Sequence, residues 1–223
     1  IDRIISQLGI ITTQIHKEST STIPRLNIRV WDKIPFGQYP QGAKGEVRPL
    51  IWRVLDIQGM KALLITDKVI DCVPYNTTNE NVTWETCTLR KWLNTVFLRK
   101  AFSSVELSQI LTVTNQNSDN GFGAKGGNPT TDRIFALSID EANSLFLDEH
   151  YRWGWVTEYA EKQGLYIDDD SRRQGAKLSR WMLRSPGRKN NEYAYVQDTG
   201  HVFGWLNVKY GDGVRPAFWL NLS

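Results

Sequence analysis

Apolar residues at the start of the chain recur at helical spacing: Ile1, Ile4, Ile5, Leu8, Ile11 and Ile15 predict one amphipathic helix over residues 1–17. The stretch KESTSTIP that follows is polar and closed by proline, which reads as a linker. Residues 1–26 are therefore expected to be an appendage, either packed on the main body or serving as a docking or oligomerisation element. From Asn27 the period shortens. NIRVWDKIPFGQY, LIWRVLDI and, beyond Gly59, MKALLIT read as strands, the last two as a hairpin. Helical spacing returns over residues 83–102, with Leu89, Trp92, Leu93, Val96 and Phe97 on one face and Thr83 or Thr86 as the expected cap. Ser103 with Glu106, and Ser138 with Glu141, have the spacing of capping boxes, the second following a predicted strand RIFALS and opening the helix IDEANSLFL. Residues 114–132 are polar and glycine-rich and are expected to form a long surface loop. The remainder alternates short aromatic strands with Gly, Asn or Asp turns. The class is α+β, with two or three helices between an early hairpin and a late antiparallel sheet.

The closing stretch DGVRPAFWLNLS is apolar enough to be buried, and it carries Arg215 and Pro216. A buried guanidinium needs partners, so Arg215 is expected to meet a carboxylate or backbone carbonyls from the early strands or the 82–102 region and to serve structure. Pro216 lacks an amide donor and fits an edge or a bulge.

Composition adds bounds. The chain has 223 residues, a formal net charge of +3 and no apolar run approaching the roughly 20 residues of a membrane helix. The charge is too small to imply a nucleic-acid partner. Its distribution is uneven: Arg172, Arg173, Lys177, Arg180, Arg184, Arg188 and Lys189 follow directly on Asp168, Asp169 and Asp170. That reads as a solvated loop with attracting halves or, more sharply, as an anion-binding patch. Cys72 and Cys87 are compatible with a disulfide or with two buried thiols, and thiols are favoured because two cysteines are no disulfide framework. The chain does not begin with methionine, which leaves its true start and any signal peptide open.

Catalytic signals are sparse. His16, His150 and His201 lie far apart, without the context of a zinc site, and GFGAKGG neither follows a strand nor opens a helix. Consecutive aspartates cannot all face one calcium ion, so a solvated acidic loop is the preferred reading of residues 168–170. No catalytic residue, metal or cofactor is assigned.

IPFGQYPQ, IWRVLDIQGMKALLIT, DCVPYN, VTWETCTLRKWLNTVFLRKAF, IFALSIDEA, WMLRSPG and GVRPAFWLNL, in this order, resemble the bacterial domains of unknown function grouped as DUF6273, over nearly all of residues 31–223. The family's closing layout is in turn similar to the C-type-lectin-like fold, to ligand-binding proteins diversified by retroelements and, distantly, to formylglycine-generating enzymes. The resemblance implies a C-type-lectin-like domain over residues 27–223 with its N- and C-terminal strands paired, VRPAFWL lying against IRVWDKI or IWRVLDI. It also implies structural roles for Arg184, Arg215 and Trp219. Formylglycine-generating enzymes use a cysteine pair late in the domain, whereas both cysteines here precede residue 90.

Display remains. Tyr193, Tyr195, Asp198, His201, Phe203, Trp205, Asn207, Lys209 and Tyr210 crowd into the stretch after Gly187, a mixture suited to a recognition surface for protein or carbohydrate. Simple alternation would bury Val202, Leu206 and Val208 and turn His201, Phe203, Trp205 and Asn207 outward, unless Gly204 makes a bulge. The expected function is a non-catalytic ligand-binding module. The rivals are an enzyme of the sulfatase-modifying type, an unrecognised hydrolase using Asp168 or His201, and an assembly held through residues 1–17. A bacterial surface or secreted setting is slightly favoured over the cytoplasm. Asn, Asp, Tyr and His at exposed positions suit adenine-directed diversification; Trp205 does not.

Overall fold

The computed structural model describes residues 28–223 except Gln174. The helix expected over residues 1–17 and its linker lie outside the described residues. No helix among the described residues is long and apolar enough to cross a membrane.

The described chain is mostly β, with short helices, in an α+β arrangement around one hydrophobic core. The first sheet is built from β1 (Lys33–Pro40), β2 (Val47–Gln58), β3 (Lys61–Thr66) and the terminal strand β13 (Ala217–Asn221), in the order β1-β2-β3-β13 and antiparallel throughout. β2 and β3 form the expected hairpin, turning at Gly59, whose φ of 61° lies where a side chain would be strained. β1 begins later than its apolar pattern predicts. Trp31 has φ 78°, and the Arg29 amide donates to Asp32 Oδ2 at 2.7 Å, so residues 29–32 turn before the strand can start.

β13 corrects a second expectation. It pairs with β3, Phe218 opposite Leu64 and Trp219 opposite Leu63, while β1 pairs with β2 alone. The first and last strands thus share a sheet but lie at its two ends. On its other side β13 bridges Phe135 and Ile110.

The second sheet has the order β11-β10-β9-β12-β4, from β4 (Asp71–Pro74), β9 (Trp181–Pro186), β10 (Glu192–Val196), β11 (Val202–Asn207) and β12 (Gly211–Val214). Only Arg215 and Pro216 separate β12 in this sheet from β13 in the other. Arg215 is buried there. Its Nε and Nη2 donate to the Thr66 carbonyl at 3.0 and 2.9 Å, its Nη1 to that of Arg152 at 3.3 Å, and its guanidinium lies 4.8 Å from the Trp181 ring centroid. Its partners are therefore carbonyls and an aromatic face, one carbonyl coming from β3 as expected and none from the 82–102 region. Pro216, the residue without an amide donor, stands at the crossover, where its carbonyl accepts from the Thr66 amide at 3.0 Å.

Helix α1 covers residues 88–101, α-helical at Thr88–Trp92 and Leu98–Ala101 with a π turn at Leu93–Phe97 between. Its cap is Cys87, whose sulfur accepts from the Arg90 amide at 3.5 Å, not Thr83 or Thr86. Cys72 and Cys87 are both free thiols. Burial pushes each up to about 12, so neither is a thiolate at neutral pH. Asn94, within the π turn, accepts from the amides of Arg133 and Ile134 at 2.9 and 3.1 Å and donates to the Ile134 carbonyl at 2.8 Å. That explains why RIFALS is not a strand: a side chain, not a ladder, holds its first amides, and only Phe135 bridges. α2 (Ser104–Gln109) and α3 (Ile139–Ser144) open with the two capping boxes the sequence predicts. A 3-10 turn at His150–Arg152, short helices α4 (Glu158–Lys162) and α5 (Asp169–Arg173) and the two-stranded ladders β5–β6 (Val113–Asn115 with Thr130–Asp132) and β7–β8 (Gly154–Trp155 with Leu178–Ser179) complete the described residues.

Candidate functional site

Three segments far apart in sequence meet at one end of the second sheet. The first is the glycine-rich loop between β5 and β6. It is not free: Asn120 Nδ2 donates to the Gly187 carbonyl and its Oδ1 accepts from the Phe122 and Ala124 amides at 2.9 and 3.1 Å. From the other side, Asn190 Nδ2 donates to the Lys125 carbonyl at 2.9 Å. Two asparagines thus fasten the loop to the β9–β10 turn.

The second segment is α3. Buried Arg184 on β9 pairs with Glu141 of α3, donating through Nη2 to Oε1 at 3.0 Å, and its Nη1 donates to the Ala136 carbonyl at 3.0 Å. Ser185 Oγ accepts from the Ile139 amide at 3.0 Å. WMLRSPG therefore holds the start of α3 against β9 through Arg184 and Ser185. The third segment is β11. Between Tyr193↔Leu206 and Tyr195↔Phe203 its register against β10 slips by one residue, a bulge at Gly204–Trp205. The Gly204 carbonyl, released from the ladder, accepts from the Arg188 amide at 2.7 Å.

These segments enclose a cavity of about 560 Å³ lined by Asn120, Gly121, Phe122, Ile139, Asn143, Pro186, Arg188, Val202, Phe203, Gly204 and Trp205. Its walls are mainly apolar. Phe203 and Trp205 lie 4.5 Å apart, centroid to centroid, and the Arg188 guanidinium stands 5.5 Å from the Trp205 ring centroid.

The sequence-predicted surface is divided by this geometry. Phe203 and the exposed Trp205 face the cavity. Tyr193 and Tyr195 are buried, on a strand whose residues 193–196 are all buried, and Tyr193 stacks on Tyr75 with ring centroids 5.4 Å apart. The Tyr193 hydroxyl donates to Asp212 at 2.9 Å, and Tyr195 packs edge-on against Trp205. Asn207 Nδ2 donates to Asn79 at 2.7 Å and its Oδ1 accepts from the Lys209 amide at 3.0 Å, so it shapes the turn before β12. Lys209 and Tyr210 are exposed on that turn, outside the cavity lining. His201 stands 3.6 Å from Glu149 and 3.2 Å from Thr199 Oγ1. Val202 and Leu206 are only half-buried, whereas Val208 is fully so. Trp219, half-buried on the first sheet, carries Lys61 Nζ 4.3 Å from its ring centroid.

The basic run also splits. Arg180 Nε donates to buried Asp212 at 2.7 Å, Lys177 Nζ pairs with Glu161 at 2.7 Å, Arg184 goes to Glu141, and Arg188 lines the cavity. It is not one patch. Asp169 and Asp170 open α5, a short helix where the sequence predicts a loop. No group of three His, Cys, Asp or Glu side chains among the described residues is placed to hold a metal ion.

Asp198 shares a hydrogen bond with Asp168, and burial followed by the Asp168 charge raises it above its ordinary 3.8. An acid raised in the folded state binds its proton more tightly there than in the unfolded chain, so folding weakens as pH rises from about 4 through the raised value. Asp198→Asn is expected to flatten that slope and to be the more stable form at pH 7, read as denaturant midpoints at pH 4, 5, 6 and 7. A parallel pair of profiles would show that the carboxyl pair carries no such linkage.

The residues that sequence reasoning missed are Asn120, Phe122, Ile139, Asn143 and Pro186, whereas Arg188 was named only as part of the basic run. Phe122 had a signal: it is the single large apolar residue in a polar loop and is 77% exposed. No curated protein and no solved structure matches this chain. Residues 59–222, from the β2–β3 turn to just past the last strand, match the family model DUF6273, a domain of unknown function, and the chain belongs to that family.

Proposed function

We propose that the protein is a non-catalytic ligand-binding module and that its ligand enters the cavity between β11, α3 and the 116–129 loop. The observation that carries this reading is the cavity itself: its volume falls within the roughly 300–1,000 Å³ of small-ligand sites, and apolar walls with a few placed polar groups are the usual lining. Its fastened walls favour it further, because a preformed site spends little ordering entropy on binding. A C-type-lectin-like architecture belongs to the same reading. It is favoured by the return of β13 to the sheet of β1 and β2 and by a second sheet that carries the candidate surface.

A ligand-observed NMR fragment screen on the full chain tests the site. Trp205→Ala is expected to weaken hits at least tenfold and Tyr210→Ala to leave them unchanged, since only Trp205 lines the cavity. Hits lost on Tyr210→Ala but kept on Trp205→Ala would move the site to the exposed 207–210 turn.

A further inference from the structure

On the reading that this cavity is the binding site, we propose that its occupant joins an apolar side chain to a free carboxylate, namely the C-terminal residue of a peptide. Arg188 carries the sole charge among the lining residues, and no carboxylate lines the wall beside it. Its guanidinium is stacked over Trp205, while its Nε stands 3.6 Å from Glu192 Oε2, beyond hydrogen-bond distance. Glu192 meets the guanidinium in a long ion pair through Nε, and among the described residues no hydrogen bond engages Nη1 or Nη2, so that edge of the planar fork is open to a bidentate acceptor. Glu192 Oε2 is itself buried without a donor, so the pair is incomplete on both sides.

The other polar groups narrow the choice. Asn120 spends its amide on the Gly187 carbonyl and on the Phe122 and Ala124 amides. Asn143 on α3 makes no side-chain hydrogen bond and is exposed to the cavity. One amide and one guanidinium cannot satisfy the ring of hydroxyls on a sugar, whose desolvation would go uncompensated. They do match one carboxylate and one neighbouring peptide group. Because the guanidinium lies on the Trp205 face, the carboxylate must sit next to the group that fills the apolar wall. A terminal residue has that arrangement, its carboxylate and side chain leaving the same carbon.

The test uses the full chain and four probes: N-acetyl-phenylalanine, its C-terminal amide, the dipeptide N-acetyl-Phe-Asp-amide, and methyl glucoside. By NMR titration the free acid is expected to bind at least tenfold more tightly than the amide. Arg188→Gln, a half-exposed position whose folding is checked by thermal denaturation, is expected to weaken the acid far more than the amide, so that the two bind alike. Trp205→Ala is expected to weaken both. Equal binding of acid and amide would overturn the carboxylate assignment while leaving the cavity as the site. Equal binding of the acid and the aspartyl dipeptide would overturn the chain-end assignment. Preferential binding of the glucoside would replace the ligand class, and failure of every probe would overturn the inference, with the fragment screen deciding separately whether the cavity binds anything.

Discussion

Arg215→Ala is expected to cost about 3–5 kcal/mol of stability, since it removes a charged donor to several buried acceptors. Thr66 O loses both its Nε and Nη2 donors, Arg152 O loses a third, and the face of Trp181 loses its cation. The loss falls at a short crossing between the two sheets, where residues 215–216 connect β12 with β13. Burial lowers Arg215 to about 10, so the guanidinium still enters the core charged at neutral pH. Arg215→Lys should recover only part of the loss, because one ammonium cannot span the Thr66 and Arg152 carbonyls as a planar fork does. In a domain of this size the alanine variant should melt about 10 °C lower. Chemical denaturation of the three proteins provides the check. A folded Arg215→Ala protein of near wild-type stability would remove Arg215 from the scaffold.

The capping boxes at Ser103 and Ser138 were legible because each depends on residues three apart. The β2–β3 hairpin was legible for the same reason, its partners being separated only by a tight turn. The need of Arg215 for buried partners could be read from its apolar neighbours, but not the identity of those partners, since Thr66 and Arg152 are distant in sequence. The same limit explains the terminal strand. Apolar pattern says that β13 is buried, whereas its choice of β3 over β1 or β2 depends on the whole sheet order.

Alternation failed at β10 for a different reason. Tyr193 and Tyr195 fall on a strand covered on both faces, so period-two patterning no longer separates core from surface. The candidate site was legible only in part. Phe203 and Trp205 were visible as unburied aromatics, but the wall opposite them comes from α3 and from a loop whose polar composition gave no reason to place it there. Asparagine side chains bonded to backbone carbonyls and amides, as at Asn94, Asn120 and Asn190, organise this protein without leaving a periodic trace.

Asp132→Ala is expected to have an effect comparable to that of Arg215→Ala, about 3–5 kcal/mol, and to act on the candidate site from a distance. The Asp132 carboxylate is fully buried and accepts from Arg90 Nε at 2.5 Å, Trp84 Nε1 at 3.1 Å, Asn115 Nδ2 at 3.1 Å and Thr130 Oγ1 at 2.7 Å. It thereby ties helix α1 to the β5–β6 ladder from which the 116–129 loop extends. Alanine leaves these donors without an acceptor. Asp132→Asn should rescue little, because one of its two head atoms becomes a donor facing donors. Arg90→Ala, at a partly exposed position, should cost less than Asp132→Ala, and the double variant should cost less than the sum of the two, the excess being the coupling of the pair. Amide hydrogen exchange adds the spatial test: protection at Val113–Asn115 and Thr130–Asp132 should fall, and fragment binding at the cavity should weaken as the loop that carries Phe122 loses its anchor. Unchanged exchange in that ladder together with unchanged binding would show that the Asn120 and Asn190 contacts alone hold the cavity wall.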